Sequence, residues 1–355
     1  MRFLKLLDER DWLLADGATG TNYFKKGLGS GDPPELWNVD HPERVRELHR
    51  EFIEAGADII LTNTFGCNHY RLMLHKAEDR VHELNMAAAE NARVEADASG
   101  REVLVAGSMG PTGEIFEPVG TLSIVDARVA FAAQAEALKE GGADVLWIET
   151  ISGREELQAA VEGASAAGLP VICTMSFDTN GRTMMGITPQ DFAGLASGLS
   201  QPPAAIGANC GTGAAELVAT VLGITEADPE AVVVAKANCG VPEFVEGEIV
   251  YSGTPDLMSD YVRLARNAGA RIIGGCCGTT PDHLRAMRTA LEAHVPGERP
   301  GVDEVESLLG EVSALAKGKA PVADPSSTGR RGRRRGRTAG HVQAPVSDEQ
   351  DRIAV

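Results

Sequence analysis

The segment Glu54-Ala-Gly-Ala-Asp-Ile-Ile-Leu61 joins an amphipathic stretch to a short apolar run, and the same kind of junction recurs twice along the chain. The other copies are Glu140-Gly-Gly-Ala-Asp-Val-Leu-Trp147 and Asn267-Ala-Gly-Ala-Arg-Ile-Ile-Gly274. In each copy a glycine is placed to end a helix, and the apolar run after it is typical of a buried strand. The junction therefore predicts a fold in which helices and strands alternate.

Outward from these junctions, the chain shows eight apolar runs of strand length with helical patterns between them. The predicted strands lie at 12–16, 58–63, 103–108, 144–149, 170–176, 204–209, 231–237 and 271–275, and the clearest helical patterns lie at 42–54, 126–139 and 255–267. Strands that are each followed by a helix, and are each too apolar to face water, predict an α/β fold of the (β/α)8 TIM barrel type. An open doubly wound sheet is the alternative, although Asp16-Gly-Ala-Thr-Gly-Thr21 lacks the Gly-x-Gly-x-x-Gly spacing of a dinucleotide-binding turn.

The domain organisation follows from length and composition. The chain has 355 residues, of which 43% are hydrophobic and 24% charged, so it can bury a large core. We expect the barrel over residues 1–300 and a C-terminal helix over 301–318. The segment 319–355 contains Arg330-Arg-Gly-Arg-Arg-Arg-Gly-Arg337, and its composition predicts a disordered Arg-rich tail.

The charge balance limits the partners of the protein. The net charge is −18, but residues 320–355 contain seven arginines and four acidic residues and carry +3, which leaves −21 on residues 1–319. A body this acidic argues against binding of nucleic acid by the folded part. No apolar run reaches the roughly 18 residues of a membrane span, and the N-terminus is a poor secretory signal. Six cysteines without a disulfide pattern then favour a cytoplasmic location.

Polar residues follow nearly every predicted strand. In a parallel barrel the carboxyl ends of all strands meet at one rim, and that rim is where active sites form. These residues therefore predict a functional mouth at the carboxyl ends of the strands. The segments concerned are Asp16-Gly17-Ala18-Thr19, Thr62-Asn63-Thr64, Ser108, Glu149-Thr150, Ser176-Phe177-Asp178, Asn209-Cys210, Asn238-Cys239 and Cys276-Cys277.

Three cysteines at this rim are candidates for a metal site. Cys276 and Cys277 follow the last strand, and Cys210 follows the sixth. Three thiolates can hold one zinc ion and leave its fourth position open, which is the arrangement of a catalytic site. Neighbouring residues of a regular strand point to opposite faces, so Cys276 and Cys277 can share a metal only if the flanking glycines let the backbone leave strand geometry. Two alternatives remain open: a buried packing pair and a redox-active vicinal disulfide. Cys239 is a further candidate thiol ligand.

Six segments together resemble the homocysteine S-methyltransferase family, and they span residues 10–295. They are Asp16-Gly-Ala-Thr-Gly-Thr21, Ala57-Asp-Ile-Ile-Leu-Thr-Asn-Thr-Phe65, Gly107-Ser-Met-Gly-Pro-Thr-Gly113, Trp147-Ile-Glu-Thr150, Gly207-Ala-Asn-Cys-Gly211 and Gly274-Gly-Cys-Cys-Gly-Thr-Thr-Pro281. The resemblance implies a zinc-containing barrel with the metal on Cys210, Cys276 and Cys277. It also implies that homocysteine binds near a set of rim residues, and that one of them, Asn238, can approach the metal when homocysteine is absent. That set is Asp16, Gly17, Thr19, Ser108, Glu149 and Asn238.

Within the family, the chain most resembles the bacterial betaine–homocysteine S-methyltransferases, through Thr183-Met-Met-Gly186, Lys236-Ala-Asn-Cys-Gly-Val-Pro-Glu-Phe244 and Tyr251-Ser-Gly-Thr-Pro255. The resemblance implies zinc-dependent methyl transfer from glycine betaine to the thiolate of L-homocysteine, giving dimethylglycine and L-methionine. The alternatives are S-methylmethionine or S-adenosylmethionine as the donor, or a barrel subunit that exchanges methyl groups with a corrinoid protein.

Two further expectations concern the donor and the assembly. A quaternary ammonium group favours aromatic faces, and the aromatic residues near the predicted rim are Trp37, Phe65, Tyr70 and Phe116. Barrels of this kind often associate through their outer helices, so we expect a homo-oligomer.

Overall fold

Eight parallel strands form one sheet, in agreement with the alternating pattern of the sequence. The computed structural model describes residues 1–245 and 248–313, with side chains given outside 242–249. Every predicted barrel strand is present, and the first is shorter than its predicted span 12–16. The strands are β1 Leu13–Leu14, β2 Ile59–Leu61, β3 Leu104–Met109, β4 Val145–Ile151, β5 Val171–Met175, β6 Ala205–Cys210, β7 Val233–Ala237 and β10 Ala270–Gly275, with β8 and β9 forming the separate hairpin described below.

The strand order closes the sheet into a barrel rather than leaving it open. The order is β1-β10-β7-β6-β5-β4-β3-β2, with neighbours parallel. The two end strands, β1 and β2, meet through a parallel bridge between Ala15 and Ile59 and through the bond from the Asp16 amide to the Ile59 carbonyl at 3.0 Å. The prediction of a TIM barrel is confirmed. The doubly wound alternative is wrong, because an open sheet has two unpaired edge strands, whereas here the two end strands pair with each other.

A two-stranded antiparallel hairpin, β8 Pro242–Val245 and β9 Glu248–Tyr251, follows β7 and lies outside the barrel sheet. The pattern of the sequence does not predict this hairpin. Its return strand ends at Tyr251, and the chain then bonds back to the barrel rim, since the Gly253 amide donates to the Cys239 carbonyl at 3.0 Å. The hairpin is therefore tied to the carboxyl end of β7.

Helices connect the barrel strands. Those predicted at 42–54 and 255–267 have the predicted bounds, and the one predicted at 126–139 is longer by a few residues. Among the described residues, no helix combines the length and the apolar character that crossing a lipid bilayer requires. The α-helices are α1 Arg2–Glu9, α2 Gly20–Lys25, α3 Trp37–Asp40, α4 Pro42–Glu54, α5 His69–Met73, α6 Val81–Ala98, α7 Ile124–Glu140, α8 Arg154–Ser165, α9 Pro189–Ser197, α10 Ala214–Ala227, α11 Pro255–Asn267, α12 Pro281–Glu292 and α13 Val302–Leu309, with short 3-10 turns at Pro34–Leu36 and Glu78–Arg80.

The three helix-to-strand junctions have a common geometry. The glycines that end the helices have φ of 107°, 101° and 106° at Gly56, Gly142 and Gly269, a left-handed conformation in which a side chain is disfavoured. In two copies the next aspartate accepts a hydrogen bond from a neighbouring strand: Asp58 from the Leu14 amide at 3.0 Å, and Asp144 from the Val105 amide at 2.9 Å. The junction therefore ends a helix, begins a strand and attaches that strand to its neighbour.

The inside of the barrel is closed at its amino end by α1. Phe3, Leu6 and Leu7 of this helix belong to the same buried cluster as inward-facing strand residues such as Trp147 and Ile272. A second, larger apolar cluster fills the layer between the strands and the surrounding helices. Helix α1 therefore closes the barrel interior at its amino end, and the carboxyl ends of the strands form the rim where active sites lie in this fold.

The C-terminal helix predicted over 301–318 is shorter than expected. Helix α13 ends at Leu309, and residues 310–313 are not helical, because Gly310 has φ of 103°. Val305 and Val312 are buried in the outer apolar layer, so this segment packs on the barrel. Residues 314–318 of the predicted helix and the whole of the predicted Arg-rich tail, 319–355, lie outside the described residues.

Candidate active site

Three thiols converge at the mouth of the barrel. The sulfur atoms of Cys210, at the end of β6, and of Cys276 and Cys277, just after β10, all lie within 4.8 Å of one another. The Cys210 and Cys277 Sγ atoms are 3.8 Å apart. A tetrahedral zinc ion with Zn–S bonds of about 2.3 Å requires sulfur ligands about 3.8 Å apart. The thiols therefore fit a zinc ion, and all three are half-buried, so a fourth ligand can reach them.

The backbone leaves strand geometry at both cysteine turns, as the sequence analysis required. Cys210 has φ of 62°, a left-handed conformation that is uncommon for a residue with a side chain and costs of order 1–2 kcal/mol. After β10, the Cys276 amide still donates to the Ala237 carbonyl at 2.6 Å, but the chain then turns and the Thr279 amide donates to the Cys276 carbonyl at 3.1 Å. This turn directs both adjacent sulfurs to one side of the chain.

Gly278 completes that turn under the ring of Tyr251. It has φ of 80°, and a Cβ added there would lie 2.4 Å from the Tyr251 ring. Interaction with the Tyr251 hydroxyl lowers the pKa of the Cys277 thiol. Any side chain at position 278 would displace a residue that contacts the cluster.

Asn238 holds the two cysteine turns together. Its Nδ2 donates to the Gly211 carbonyl at 2.7 Å, and its Oδ1 accepts from the Cys277 amide at 3.0 Å. The resemblance to the family predicts that this asparagine can approach the metal. Here both of its polar atoms are engaged with backbone, so an approach to the metal would release both turns.

Asn209 provides a second link beneath the thiols. Its Nδ2 donates to the Thr150 hydroxyl at 2.7 Å and lies 4.0 Å from the Cys276 sulfur, while its Oδ1 accepts from the Thr150 amide and the Thr174 hydroxyl. Thr150 has φ of 63°, the same unusual conformation as Cys210. The ends of β4, β5 and β6 are therefore joined by one buried amide directly below the cluster.

Cys239 does not belong to the group of three thiols. It is buried, and its Sγ donates to the Gly253 carbonyl at 3.3 Å. Its amide donates to the Cys277 carbonyl at 2.9 Å, so it supports the turn rather than the metal position. Cys67 and Cys173 are also buried and lie outside the group.

Glu149 and Ser108 form one side of the pocket. The Ser108 hydroxyl donates to Glu149 Oε1, and both side chains are buried at the ends of β4 and β3. Burial raises the pKa of Glu149 to about 7, and the charge of Lys236 opposes that effect. Ser108 is itself fixed by Thr62, whose hydroxyl accepts from the Ser108 amide at 2.9 Å.

Asp16 and Gly17, at the end of β1, form the opposite side together with Lys236 of β7. The Lys236 ammonium lies 3.3 Å from Asp16 Oδ1 and donates to the Gly17 carbonyl at 3.2 Å. Asp16 Oδ2 accepts from the Leu61 amide at 2.7 Å. Burial raises the pKa of Asp16, and the positive charge of Lys236 opposes that shift. Thr19 is half-buried at the start of α2 and has its own carbonyl bonded to the Tyr23 amide at 3.1 Å.

The thiols do not ionise equally in the absence of a metal. Hydrogen bonds from Cys210 and Cys276, with a further one from Tyr251, hold the pKa of Cys277 well below its usual range against the effect of burial. Hydrogen bonding to Cys276 and Cys277 raises the pKa of Cys210. Cys277 is therefore the thiol of the three that ionises most readily, and a cation bound there would compete with the protons of all three.

The aromatic residues proposed for the donor differ in their availability. Trp37 is buried, and the Arg44 guanidinium already lies over its ring at 4.8 Å from the centroid, so this candidate ring is less available to a donor. Phe65 is 40% exposed in the loop after β2 and is free to meet a ligand on its outer side. Tyr70 and Phe116 are partly buried against the core.

Two residues of the site were missed as site residues at the sequence level. Lys236 is a charged residue within the otherwise apolar run 231–237, and a buried charge is a signal for a partner or a function. Tyr251 ends a hairpin that has no strong sequence signal, and its contact with Cys277 depends on how that hairpin folds back. Lys236 could have been found as a site residue from the sequence, whereas Tyr251 could not.

The fold and the site together define a parallel barrel with three thiols gathered at its carboxyl rim, in an arrangement that could hold a metal ion, beside two buried carboxyl groups. The sequence profile of the family described as Homocysteine S-methyltransferase matches residues 13–291. This chain therefore belongs to the homocysteine S-methyltransferase family.

Two kinds of relative are similar to the chain. The methionine synthase of Mycobacterium tuberculosis is 31% identical over 297 residues, which is 79% of this chain but 24% of that protein. The chain thus spans about a quarter of the length of the methionine synthases it matches. The metallated form of the homocysteine methyltransferase MmuM from Escherichia coli is 26% identical, with a TM-score of 0.68 over 81% of this chain and 99% of that one. A methyltransferase from Methanosarcina mazei, at 15% identity and a TM-score of 0.53, shares the fold.

Proposed function

We propose that this protein transfers a methyl group to the sulfur of L-homocysteine, forming L-methionine, with a zinc ion held by Cys210, Cys276 and Cys277. The observation that carries the proposal is the convergence of three half-buried thiols, two of them 3.8 Å apart. Zinc bound there would lower the pKa of a fourth sulfur ligand, so that homocysteine binds as a thiolate near neutral pH. Family membership supports the same acceptor.

The residues beside the thiols suit the rest of an amino acid substrate. Asp16 and Glu149 are buried carboxyl groups on opposite sides of the pocket and provide acceptors for an ammonium group. The turn from Gly17 to Thr19 leads into α2, and the first amides of a helix are suited to bind a carboxylate. These contacts fix the substrate, so its sulfur lies in line with the methyl carbon of the donor.

For the donor we propose glycine betaine. The homocysteine sulfur forms a bond to a methyl carbon, the bond from that carbon to nitrogen breaks, and nitrogen keeps the electron pair, so neutral dimethylamino nitrogen leaves. No proton donor is needed for this leaving group. The exposed face of Phe65 is a candidate contact for the quaternary ammonium, whereas Trp37 is not, because Arg44 covers its ring.

The test is methionine formation from homocysteine with one donor at a time: glycine betaine, S-methylmethionine, S-adenosylmethionine or a methylated corrinoid protein. We expect activity with betaine alone, its loss with a chelator and its return on adding zinc. Cys276→Ala should lose both zinc and activity, whereas Cys173→Ala, at a buried thiol outside the group of three, should keep both. Zinc-independent turnover would contradict the acceptor chemistry, and activity only with another donor would contradict the betaine assignment alone.

A further inference from the structure

Lys236 is a buried cation at the base of the pocket. Its side chain is 4% exposed and extends from the apolar strand β7 to the end of β1. Two contacts of the ammonium group are visible, namely the Gly17 carbonyl at 3.2 Å and Asp16 Oδ1 at 3.3 Å. Because an unpaired ammonium in such a place costs several kcal/mol, a lysine there needs the carboxylate beside it.

Asp16 depends on the same contact. Its Oδ2 is used by the Leu61 amide at 2.7 Å. Its Oδ1 is buried and has no aligned hydrogen-bond donor, so the 3.3 Å approach of Lys236 is an ionic contact that leaves an acceptor lone pair free. An unused acceptor at the mouth, with its carboxylate already fixed through the other oxygen, is suited to an N–H donor from a ligand.

The charge of Lys236 acts on the whole pocket. It opposes the effect of burial on the pKa of Asp16 and of Glu149. Burial alone lowers the pKa of Lys236, but the negative charges of Asp16, Cys276 and Glu149 outweigh it and leave that pKa above its usual value. The lysine therefore remains charged while the carboxyl groups around it ionise.

We propose that Lys236 is a positioning residue for the amino acid substrate: its contact with the Asp16 carboxylate holds that group in place, so that Oδ1 accepts a hydrogen bond from the substrate's amino group. This inference rests on the proposed function, since it requires an amino acid bound beside the thiols. It assigns the lysine an action through Asp16, without contact to the metal or to the methyl donor.

The experiment compares Lys236→Met, Asp16→Asn and the double variant, each loaded with zinc. Lys236→Met should raise the KM for homocysteine about 10- to 100-fold, which corresponds to the loss of one hydrogen bond to a charged group. The KM for the donor and the zinc content should stay unchanged. Titration calorimetry of homocysteine into the zinc-loaded protein should give the same loss of affinity without any turnover. Lys26→Met is the matched control, because Lys26 pairs with Glu47 and Glu51 on the helical surface.

The double variant decides between action through Asp16 and direct contact. If Lys236 acts through Asp16, Lys236→Met adds less than about twofold to the defect of Asp16→Asn. Defects that multiply would overturn the proposal. The double variant also removes both buried charges, so it should fold even if Lys236→Met alone does not. If the wild type binds homocysteine and Lys236→Met binds it equally well, this inference alone is overturned. If the zinc-loaded wild type binds no homocysteine, the proposed function is overturned as well.

Discussion

Glu149 shows how a single residue's surroundings set its chemistry. It is buried beside Ser108, and burial raises its pKa to about 7, so it changes charge near neutral pH. Only the ionised form attracts an ammonium group. We therefore expect the KM for homocysteine to fall as the pH rises from about 6 to about 8. A series of initial-rate measurements at fixed donor concentration would measure this.

Two variants separate Glu149 from other titrating groups. The Ser108 hydroxyl bonds the carboxylate and lowers its pKa, so Ser108→Ala should move the midpoint of the KM profile to higher pH. Glu149→Gln should remove this part of the profile and leave the part due to the substrate's thiol. An unchanged or lower midpoint in Ser108→Ala would assign the transition to another group.

For single residues, the sequence predicts which polar side chains lie at the rim of the barrel, but not which groups they bond to. Cys210, Cys276 and Cys277 could be proposed together because the ends of two strands, β6 and β10, meet at the same rim of the barrel. The same reasoning left Cys239 as a candidate, and the structure excludes it from the group because its sulfur bonds to the Gly253 carbonyl. Which of two adjacent residues faces a site depends on the conformation of the turn. The sequence allows that conformation but does not determine it.

The junction between helix and strand is the element that repeats in this fold. At its strand end, Asp58 is fully buried and accepts from the Leu14 amide, and three guanidinium groups surround it. Those groups belong to Arg10, Arg101 and Arg288. The contact attaches β2 to β1 at the amino end of the barrel, where the ladder between the two strands is short.

Asp58→Ala should lower the free energy of unfolding by about 2–3 kcal/mol, because it leaves a buried amide without an acceptor and removes the partner of three partly exposed arginines. Urea unfolding followed by circular dichroism would measure the change. Asp97→Ala is the control: Asp97 pairs with Arg93 on the surface, and the change should be within about 0.5 kcal/mol. Equal effects of the two substitutions would show that the buried contact contributes nothing special.

Elements with a strong apolar period were predicted correctly, and those without one were not. The eight barrel strands are continuous apolar runs, so their positions follow from hydropathy. The β8–β9 hairpin was missed because its segment, 242–251, mixes charged and apolar residues around a turn. The final helix was predicted too long because nothing in the apolar pattern marks Gly310 as the position where the backbone turns.

For the molecule as a whole, α1 closes the end of the barrel opposite the mouth. Leu6 is 1% exposed against the barrel interior, whereas Leu4 on the same helix is 42% exposed. Leu6→Ala should cost about 2–5 kcal/mol of stability, and Leu4→Ala should cost less than about 0.5 kcal/mol.

Urea unfolding of both variants, with homocysteine KM and zinc content measured beside it, would check this prediction. The kinetic constants should not change in either variant, since the substituted helix lies at the far end of the barrel. A changed KM in Leu6→Ala would mean that packing at the amino end controls the mouth.

The join between β1 and β2 has a further consequence. One short bridge connects these strands, and an aspartate supports the connection at each end: Asp58 bonds to the Leu14 amide below, and Asp16 bonds to the Leu61 amide above. The carboxylate proposed to recognise the substrate, that of Asp16, therefore also helps to close the barrel between β1 and β2. Ligand binding and local opening of the contact between β1 and β2 are therefore coupled. Bound homocysteine should slow the hydrogen exchange of the Leu61 amide.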